Sequence, residues 1–434
     1  MNKQFKRLSI IAIVCFIPLQ SMAMPFQEYE PYTKLSFKQE HIDTIPYQEK
    51  IITILDSINE SLLRSLLEQL VSFGPRYTGT YGCEQAASFI HDQFITMGLQ
   101  SRYHNWSSFG NRYNPQFFIS QNVEGTLQGT QLNEIILFGA HYDTIKTVLG
   151  ANDDGSGVAA VLAAAYVLSQ YSFNRTVKFV TFSGEEVGLK GSWAYVEAAY
   201  KDNDNILFNF NADMIGHATT TQGGHSIRLS LTEDAIEIPT IISTINDLFQ
   251  VPFDIQTLPI QREGRGGSDY FPFAAYGYES VAFWEGEHDP NMHTQDDDLT
   301  NVNFSYLVNM TKLITGTLAY IADAPTTYPQ IHIVSPKRHA IYNNGMIHHS
   351  LETMKTIVFN DIWICTETQS YTDITHVEFY YDDILTTTDT MAPFSWHCTR
   401  QSVGLHRINI IAYDKLGRKT TDYIDIFFIH PFLK

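Results

Sequence analysis

Apolar residues recur at two different periods in this chain, and the switch between them divides it. From Tyr47 to Phe73 they fall three and four residues apart (Ile51, Ile54, Leu55, Ile58, Leu62, Leu66, Leu70), which predicts an amphipathic helix. Cys83 to Met97 repeats the pattern and stops at Gly98, a helix-ending signal. Short continuous apolar runs then alternate with helical stretches. Glu134–Gly139, Val177–Phe182, Leu207–Ala212 and Ser280–Trp284 have the composition of strands buried on both faces. Gly157–Ser169, Lys190–Tyr200 and Leu307–Ile321 have helical periodicity. This alternation predicts an α/β domain with a mostly parallel sheet between helices.

Near Ala324-Pro325 the period shortens to two. Gln330–Val334, Thr356–Thr366, His376–Tyr381, Arg407–Tyr413 and Asp422–Ile429 are separated by turns at the spacing of an all-β sandwich. The expected organisation is therefore an α/β domain over 51–325 and a β-sandwich over 326–434. Residues 24 to about 50 carry Pro25, Pro31 and Pro46 with no strong period, and read as an extended arm or a short propeptide.

The first residues have a different texture. Lys3, Lys6 and Arg7 precede an apolar run from Leu8 to Leu19, and Ser21-Met22-Ala23 follows. That is the pattern of a signal peptide over 1–23, cleaved after Ala23. The run is well short of the ~20 residues a membrane span needs. The expectation is a secreted protein, extracellular or periplasmic, with no membrane span and in monomeric form.

Charge narrows the partners. The chain carries 28 Lys+Arg against 47 Asp+Glu, a formal net charge of −19, and loss of the signal's three cations deepens it to −22. Nucleic acid and anionic membranes attract basic patches, so neither is an expected partner. Removal of Cys15 with the signal leaves Cys83, Cys365 and Cys398. Cys365 and Cys398 are the candidate disulfide pair of an exported chain, with Cys83 free; three unpaired buried thiols is the other reading.

Polar islands follow the apolar runs, where an open α/β sheet places its ligands. Gly139–Asp143 reads G-A-H-Y-D, Gly150–Gly157 reads G-A-N-D-D-G-S-G, and Ser183–Ser192 reads S-G-E-E-V-G-L-K-G-S. N-A-D-M (Asn211–Met214) and M-H-T-Q-D-D-D-L (Met292–Leu299) come later. His and carboxylate side chains of this kind are ligands for zinc and other divalent metals. One residue separates His141 from Asp143, which puts both on one side of an extended backbone. Asp143 can then accept the second ring N–H of His141 and fix its tautomer. Asp154 or Ser156 suffices to cap the following helix, which leaves Asp153 free as a ligand. The adjacent Glu185 and Glu186 can supply one ligand and one base. Asp213 is either a ligand or the cap of its loop. Asp296–Asp298 beside His293 need be no more than a solvated acidic cluster.

Taken together these motifs resemble the zinc aminopeptidases of the M28 peptidase type, the group of the secreted Vibrio and Streptomyces aminopeptidases. The resemblance runs from about Leu62, through G-P-R-Y-T-G-T (Gly74–Thr80), to about Ile321. It implies an α/β sandwich around a mixed sheet of about eight strands, with two zinc ions per chain. His141, Asp213 and a bridging Asp153 would hold one ion; Asp153, Glu186 and His293 the other. Glu185 would be the general base for a metal-bridged water, Asp143 the carboxylate that orients His141, and Asp153-Asp154 a cis peptide. R-G-G-S-D-Y-F-P-F (Arg265–Phe273) resembles the family's S-D-H-x-x-F/W with Tyr270 in place of His, making Arg265, Asp269 and Tyr270 candidate substrate residues. I-V-S-P (Ile333–Pro336), V-E-F-Y-Y-D-D (Val377–Asp383), M-A-P-F-S-W (Met391–Trp396) and I-A-Y-D-K-L-G-R (Ile411–Arg418) resemble bacterial immunoglobulin-like modules, which would place Cys365 and Cys398 on neighbouring strands.

The implied function is hydrolysis of the N-terminal peptide bond of peptides or proteins with a free N-terminus. A glutaminyl-peptide cyclotransferase with one zinc is the nearest alternative, since it shares the H-Y-D; N-D-D-G-S-G leans toward the peptidases. A carboxypeptidase and a non-catalytic adhesion protein are weaker. Ser or Cys nucleophilic catalysis has no support, because no G-x-S-x-G is present and Cys83 has no evident partner.

Overall fold

The computed structural model describes residues 33–34 and 48–430, apart from 203, 233–234, 236–237, 250–251, 261–266, 324–328, 351–354, 370–372 and 416–418. The expected signal segment and most of the arm lie outside these residues, as does Arg265. Among the described residues no helix is long and apolar enough to cross a membrane.

The helix predicted from Tyr47 to Phe73 is in fact two, α1 (Gln48–Asp56) and α2 (Glu60–Val71). Asn59 divides them: it is extended, and its side-chain oxygen accepts the Leu62 N–H at 3.0 Å. Such a cap contributes about 1 kcal/mol and restarts the helix with its apolar stripe still facing inward. Next come α3 (Tyr81–Thr96), a hairpin of β2 (Gln100–Phe109) and β3 (Phe117–Leu127), then β4 (Gln131–His141) and α4 (Gly155–Leu168). They are followed by β5 (Arg175–Phe182), α5 (Lys190–Lys201), β6 (Ile206–Ala212), β7 (Ser226–Leu231), α6 (Ile238–Asn246), β8 (Asp254–Pro259), α7 (Tyr270–Ala275), β9 (Glu279–Glu285) and α8 (Phe304–Asp323). Thr33–Lys34 form β1, a short strand paired with β8.

The nine strands lie in the order β1-β8-β7-β9-β6-β4-β5-β3-β2. The central block β9-β6-β4-β5 is parallel. The flanks contain antiparallel pairs, so the sheet is mixed, with one more strand than the resemblance implies. All eight residues of β5 and all seven of β6 are buried. Helices cover both faces: α1 to α4, α6 and α8 contribute to one core, α5 and α7 to the other. Each Leu, Val or Phe buried there contributes about 1.5–3 kcal/mol. Helix α4 is built of small residues and is buried almost throughout, so its backbone sits close to the sheet. A Cβ on Gly157 would lie 2.5 Å from the Ala212 carbonyl and from the Asp154 carboxylate, which ties the start of α4 to the end of β6.

The described residues from 329 to 430 form an all-β region. Its strands are β10 (Gln330–Ser335), β11 (Ala340–Asn343), β12 (Met346–Ser350), β13 (Thr356–Phe359), β14 (Ile362–Gln369), β15 (Ile374–Tyr381), β16 (Ile384–Asp389), β17 (Ser395–Cys398), β18 (Ser402–Asp414) and β19 (Lys419–His430). Sheets β10-β14-β17 and β12-β11-β13-β19-β18-β15-β16 enclose one apolar core. The run predicted over Thr356–Thr366 breaks into β13 and β14, where Asn360 turns the chain with φ 68°. Cys365 and Cys398 lie on neighbouring strands, but the register sets Cys365 opposite Ser395 and Cys398 opposite Ile362. Both are free, so the candidate disulfide is not made. Cys83 is also free, and burial pushes its thiol up to about 12.

Candidate metal centre

The candidate ligands meet at the C-terminal edge of β4, β5 and β6. His141 is the last residue of β4. Its backbone N–H donates to Asp154 Oδ2 (3.1 Å), while Asp154 Oδ1 accepts from Gly157 (3.0 Å) and Met214 (3.1 Å). One buried carboxylate thereby fastens the end of β4, the start of α4 and the end of β6. Asp154 is the helix cap, and Asp153 is left free, as its spacing suggests. The Asp153–Asp154 peptide is cis.

Asp153 points one oxygen at each of two imidazoles. Oδ1 lies 3.3 Å from His141 Nε2 and Oδ2 lies 3.1 Å from His293 Nε2. Asp213, just past β6, brings Oδ1 to 3.8 Å from His141 Nε2, and Glu186 brings Oε1 to 3.4 Å from His293 Nε2. The donor atoms of His141, Asp153 and Asp213 lie within 4.8 Å of one another, as do those of Asp153, Glu186 and His293. His141 Nε2 is buried with no hydrogen-bond partner among the described residues. A buried imidazole nitrogen left open between carboxylates is the arrangement a divalent cation completes. The residues therefore fit zinc at both sets.

Electrostatics agree with that crowding. Burial raises Asp153, but the facing His141 and His293 outweigh it and hold its carboxyl well below the usual range. Asp153 and Glu186 push His293 up to about 10. Burial pushes Glu185 well above the ordinary glutamate range, with Glu186, Asp269 and Asp213 adding to the effect.

Asp143 faces His141 through both its backbone and its side chain. The Nδ1 of His141 is 3.1 Å from the Asp143 backbone carbonyl and 3.7 Å from its carboxylate. That carboxylate also accepts from Thr78 Oγ1 (2.7 Å) and the backbone N–H groups of Glu185 (3.2 Å) and Glu186 (3.4 Å). It shapes the Glu-Glu turn. Asp269 is wholly buried, accepts from Ser192 Oγ, and is pushed up to about 7 by burial. Tyr270 is half-buried, and its hydroxyl accepts the Gly267 N–H at 3.1 Å.

Three positions were not singled out by the motifs. Arg76 of G-P-R-Y is fully buried and donates to the carbonyls of Tyr142 (2.7 Å), Leu149 (2.5 Å) and Gly150 (2.9 Å), pinning the loop between His141 and Asp153. Asp297 is not part of a solvated cluster: it is buried and accepts from the N–H groups of Asn152 (2.6 Å) and Asp153 (3.1 Å). Asn152 is the third. His288 is exposed and Asp289 is buried against Asn152, so neither belongs to the ligand sets.

Residues 122–318 match the model of Peptidase family M28. Over that stretch the chain is similar to peptidase family M28. Among curated relatives, a "Probable zinc metalloprotease" of Pyrenophora tritici-repentis is 26% identical, covering 66% of this chain and 79% of that protein. A "Leucine aminopeptidase 1" of Penicillium rubens is 27% identical, covering 64% and 76%. LapB from Legionella pneumophila shares the fold at a TM-score of 0.57 and 21% identity, covering 67% of this chain and 78% of that one. A glutaminyl cyclase from Tannerella forsythia shares it at 0.53 and 19%, covering 61% and 98%. Likeness of fold alone therefore does not choose between a peptidase and a cyclase, and the ligand geometry must.

Proposed function

We propose that this chain is a secreted di-zinc aminopeptidase of the M28 type, acting on peptides and proteins with a free N-terminus. The observation that carries the reading is Asp153, whose two oxygens face two imidazoles and so serve two three-residue ligand sets at once. One set would suffice for a single-zinc cyclase; the second favours the peptidase. The zinc metalloprotease and leucine aminopeptidases among the relatives support the same choice. Secretion rests on Lys3, Lys6, Arg7 and the apolar run that follows them.

In this reading His141, Asp153 and Asp213 hold one zinc, and Asp153, Glu186 and His293 the other. Zinc held there would polarise the scissile carbonyl and lower the pKa of the attacking water. Glu185, its proton affinity raised by burial, takes that water's proton and passes it to the leaving amine. Asp143 fixes the turn that aims Glu185, through the two N–H groups it accepts. The acidic ligand sets also suit a cationic α-amine. Two sheets around one core support an immunoglobulin-like reading of residues 329–430, as a spacer or adhesive unit.

The test is release of nitroaniline from a panel of aminoacyl-4-nitroanilides by the metal-stripped and zinc-restored chain, with glutaminyl-peptide cyclisation measured alongside. Zinc-dependent release supports an aminopeptidase and ranks its preference. Cyclisation without release moves the assignment to a cyclotransferase.

A further inference from the structure

Asn152 precedes the shared ligand and spends every polar group on the loops around it. It is 2% exposed. Its backbone N–H donates to Asp297 Oδ1 at 2.6 Å. Its side-chain amide donates to Glu285 Oε2 at 3.0 Å and to Asp289 Oδ2 at 2.8 Å, and its Oδ1 accepts the Gly216 N–H at 2.9 Å. An asparagine amide offers two N–H groups and one carbonyl, so all are engaged and none is left for a metal or substrate. Three of the partners flank Asp213 or His293, one candidate ligand from each set. Gly216 is three residues beyond Asp213, Asp289 four before His293, and Asp297 four after it.

Two further observations make this arrangement specific to an amide. Glu285 and Asp289 are both buried, and a donor is what holds two carboxylates against one side chain; an aspartate at 152 would add a third. A Cβ on Gly216 would lie 2.9 Å from Asn152 Oδ1 and 3.1 Å from Ser156 Cβ, so the contact requires the bare backbone there.

We infer that Asn152 is a positioning residue that locks Asp153 between the two ligand sets, so that both ions are gained or lost together. The inference rests on the two-ion reading above. It is tested on the full chain by titrating metal-stripped protein with zinc against a chromophoric chelator, with unfolding temperature measured in parallel. N152A removes the amide. G216A crowds the same contact while leaving every hydrogen-bonding group in the chain. N246A is the control, a buried amide that bridges the N–H and carbonyl of Phe253 (both 2.9 Å), outside the ligand sets. Loss of a group that orients metal ligands typically weakens binding by about 10–100-fold. N152A and G216A are each expected to weaken both zinc equivalents by an amount in that range, and N246A to lower the unfolding temperature with zinc affinity intact. Wild-type affinity in N152A, loss of one equivalent alone, or an equal loss in N246A would overturn the inference and leave the aminopeptidase reading standing. A single zinc equivalent in the unsubstituted chain would overturn both.

Discussion

The Nδ1 of His141 lies 3.1 Å from the backbone carbonyl of Asp143, while the Asp143 carboxylate, at 3.7 Å, is turned toward the N–H groups of Glu185 and Glu186. The ring of one candidate ligand thus meets main chain most closely, and the side chain also shapes the turn that carries the proposed base. D143N keeps the shape but offers an N–H₂ where a buried N–H or hydroxyl needs an acceptor. Zinc content should stay close to wild type while kcat falls by about 10–100-fold, the usual cost of disturbing such a supporting group. Metal analysis beside kinetics checks it. Zinc lost in proportion to activity would show that the carboxylate orients His141 after all.

The role of Glu185 gives a sharper expectation. It stands next to a ligand but belongs to neither ligand set. E185Q preserves size and removes proton transfer, a contribution of about 10²–10⁴-fold. The variant should bind zinc as the parent does and hydrolyse aminoacyl-nitroanilides slower by that factor. Near-normal turnover at normal zinc occupancy would exclude Glu185 as the base.

How far the sequence reached is itself a matter of burial. Strands β5 and β6 could be read because every position is buried, leaving their apolar runs unbroken. Each ligand then fell at the end of such a run, or in a polar island with no apolar residue to disguise it. The hairpin β2–β3 could not be read. It forms one edge of the sheet, and β2 buries Trp106 alone among its ten residues, so no period of two shows. Asn152 was hidden for another reason. One asparagine in a glycine-rich turn looks like any turn residue, and its partners are 64 to 145 residues away along the chain. Asp143 was found beside His141, but its bonds to Thr78, Glu185 and Glu186 were not, because spacing says which residues can touch and not which atom of each does. A local cap at Asn59 split the predicted helix, and strand register set Cys365 away from Cys398.

Metal removal should act on one unit of the chain. The first ligand set lies in buried positions of the α/β domain, and the all-β unit has its own core. Zinc at 1,000 times its dissociation constant adds about 4 kcal/mol to the stability of whatever it binds. For a domain of this size about 1 kcal/mol moves the midpoint by roughly 2–4 °C, so the shift is on the order of 10 °C. Calorimetry with and without chelator should show the α/β transition move and the β transition hold still. Movement of both together, or of neither, would contradict a metal centre confined to the α/β domain.

Glu124 supplies a pH dependence away from the metal centre. It is buried on β3 and accepts from Arg102 (3.0 and 2.9 Å), Tyr195 Oη (2.7 Å) and Thr126 Oγ1 (3.0 Å). Burial alone would raise its pKa, but Arg102, Lys178 and Tyr195 outweigh that and hold it below the ordinary glutamate range. A carboxylate depressed in the folded state binds fewer protons there than in the unfolded chain. Its stabilisation is therefore complete above the unfolded pKa, about 4.3, and is lost as pH falls through the lower folded value. Hydrogen bonds to a charged group contribute about 1.5–3 kcal/mol, discounted here because Arg102 is more than half exposed, so E124Q should cost about 1–3 kcal/mol at pH 7. Denaturant midpoints of both zinc-free proteins at pH 7, 5 and 3.5 should show the gap intact at the first two and shrinking at the third. A gap independent of pH would mean that Glu124 stabilises the fold by packing rather than by charge.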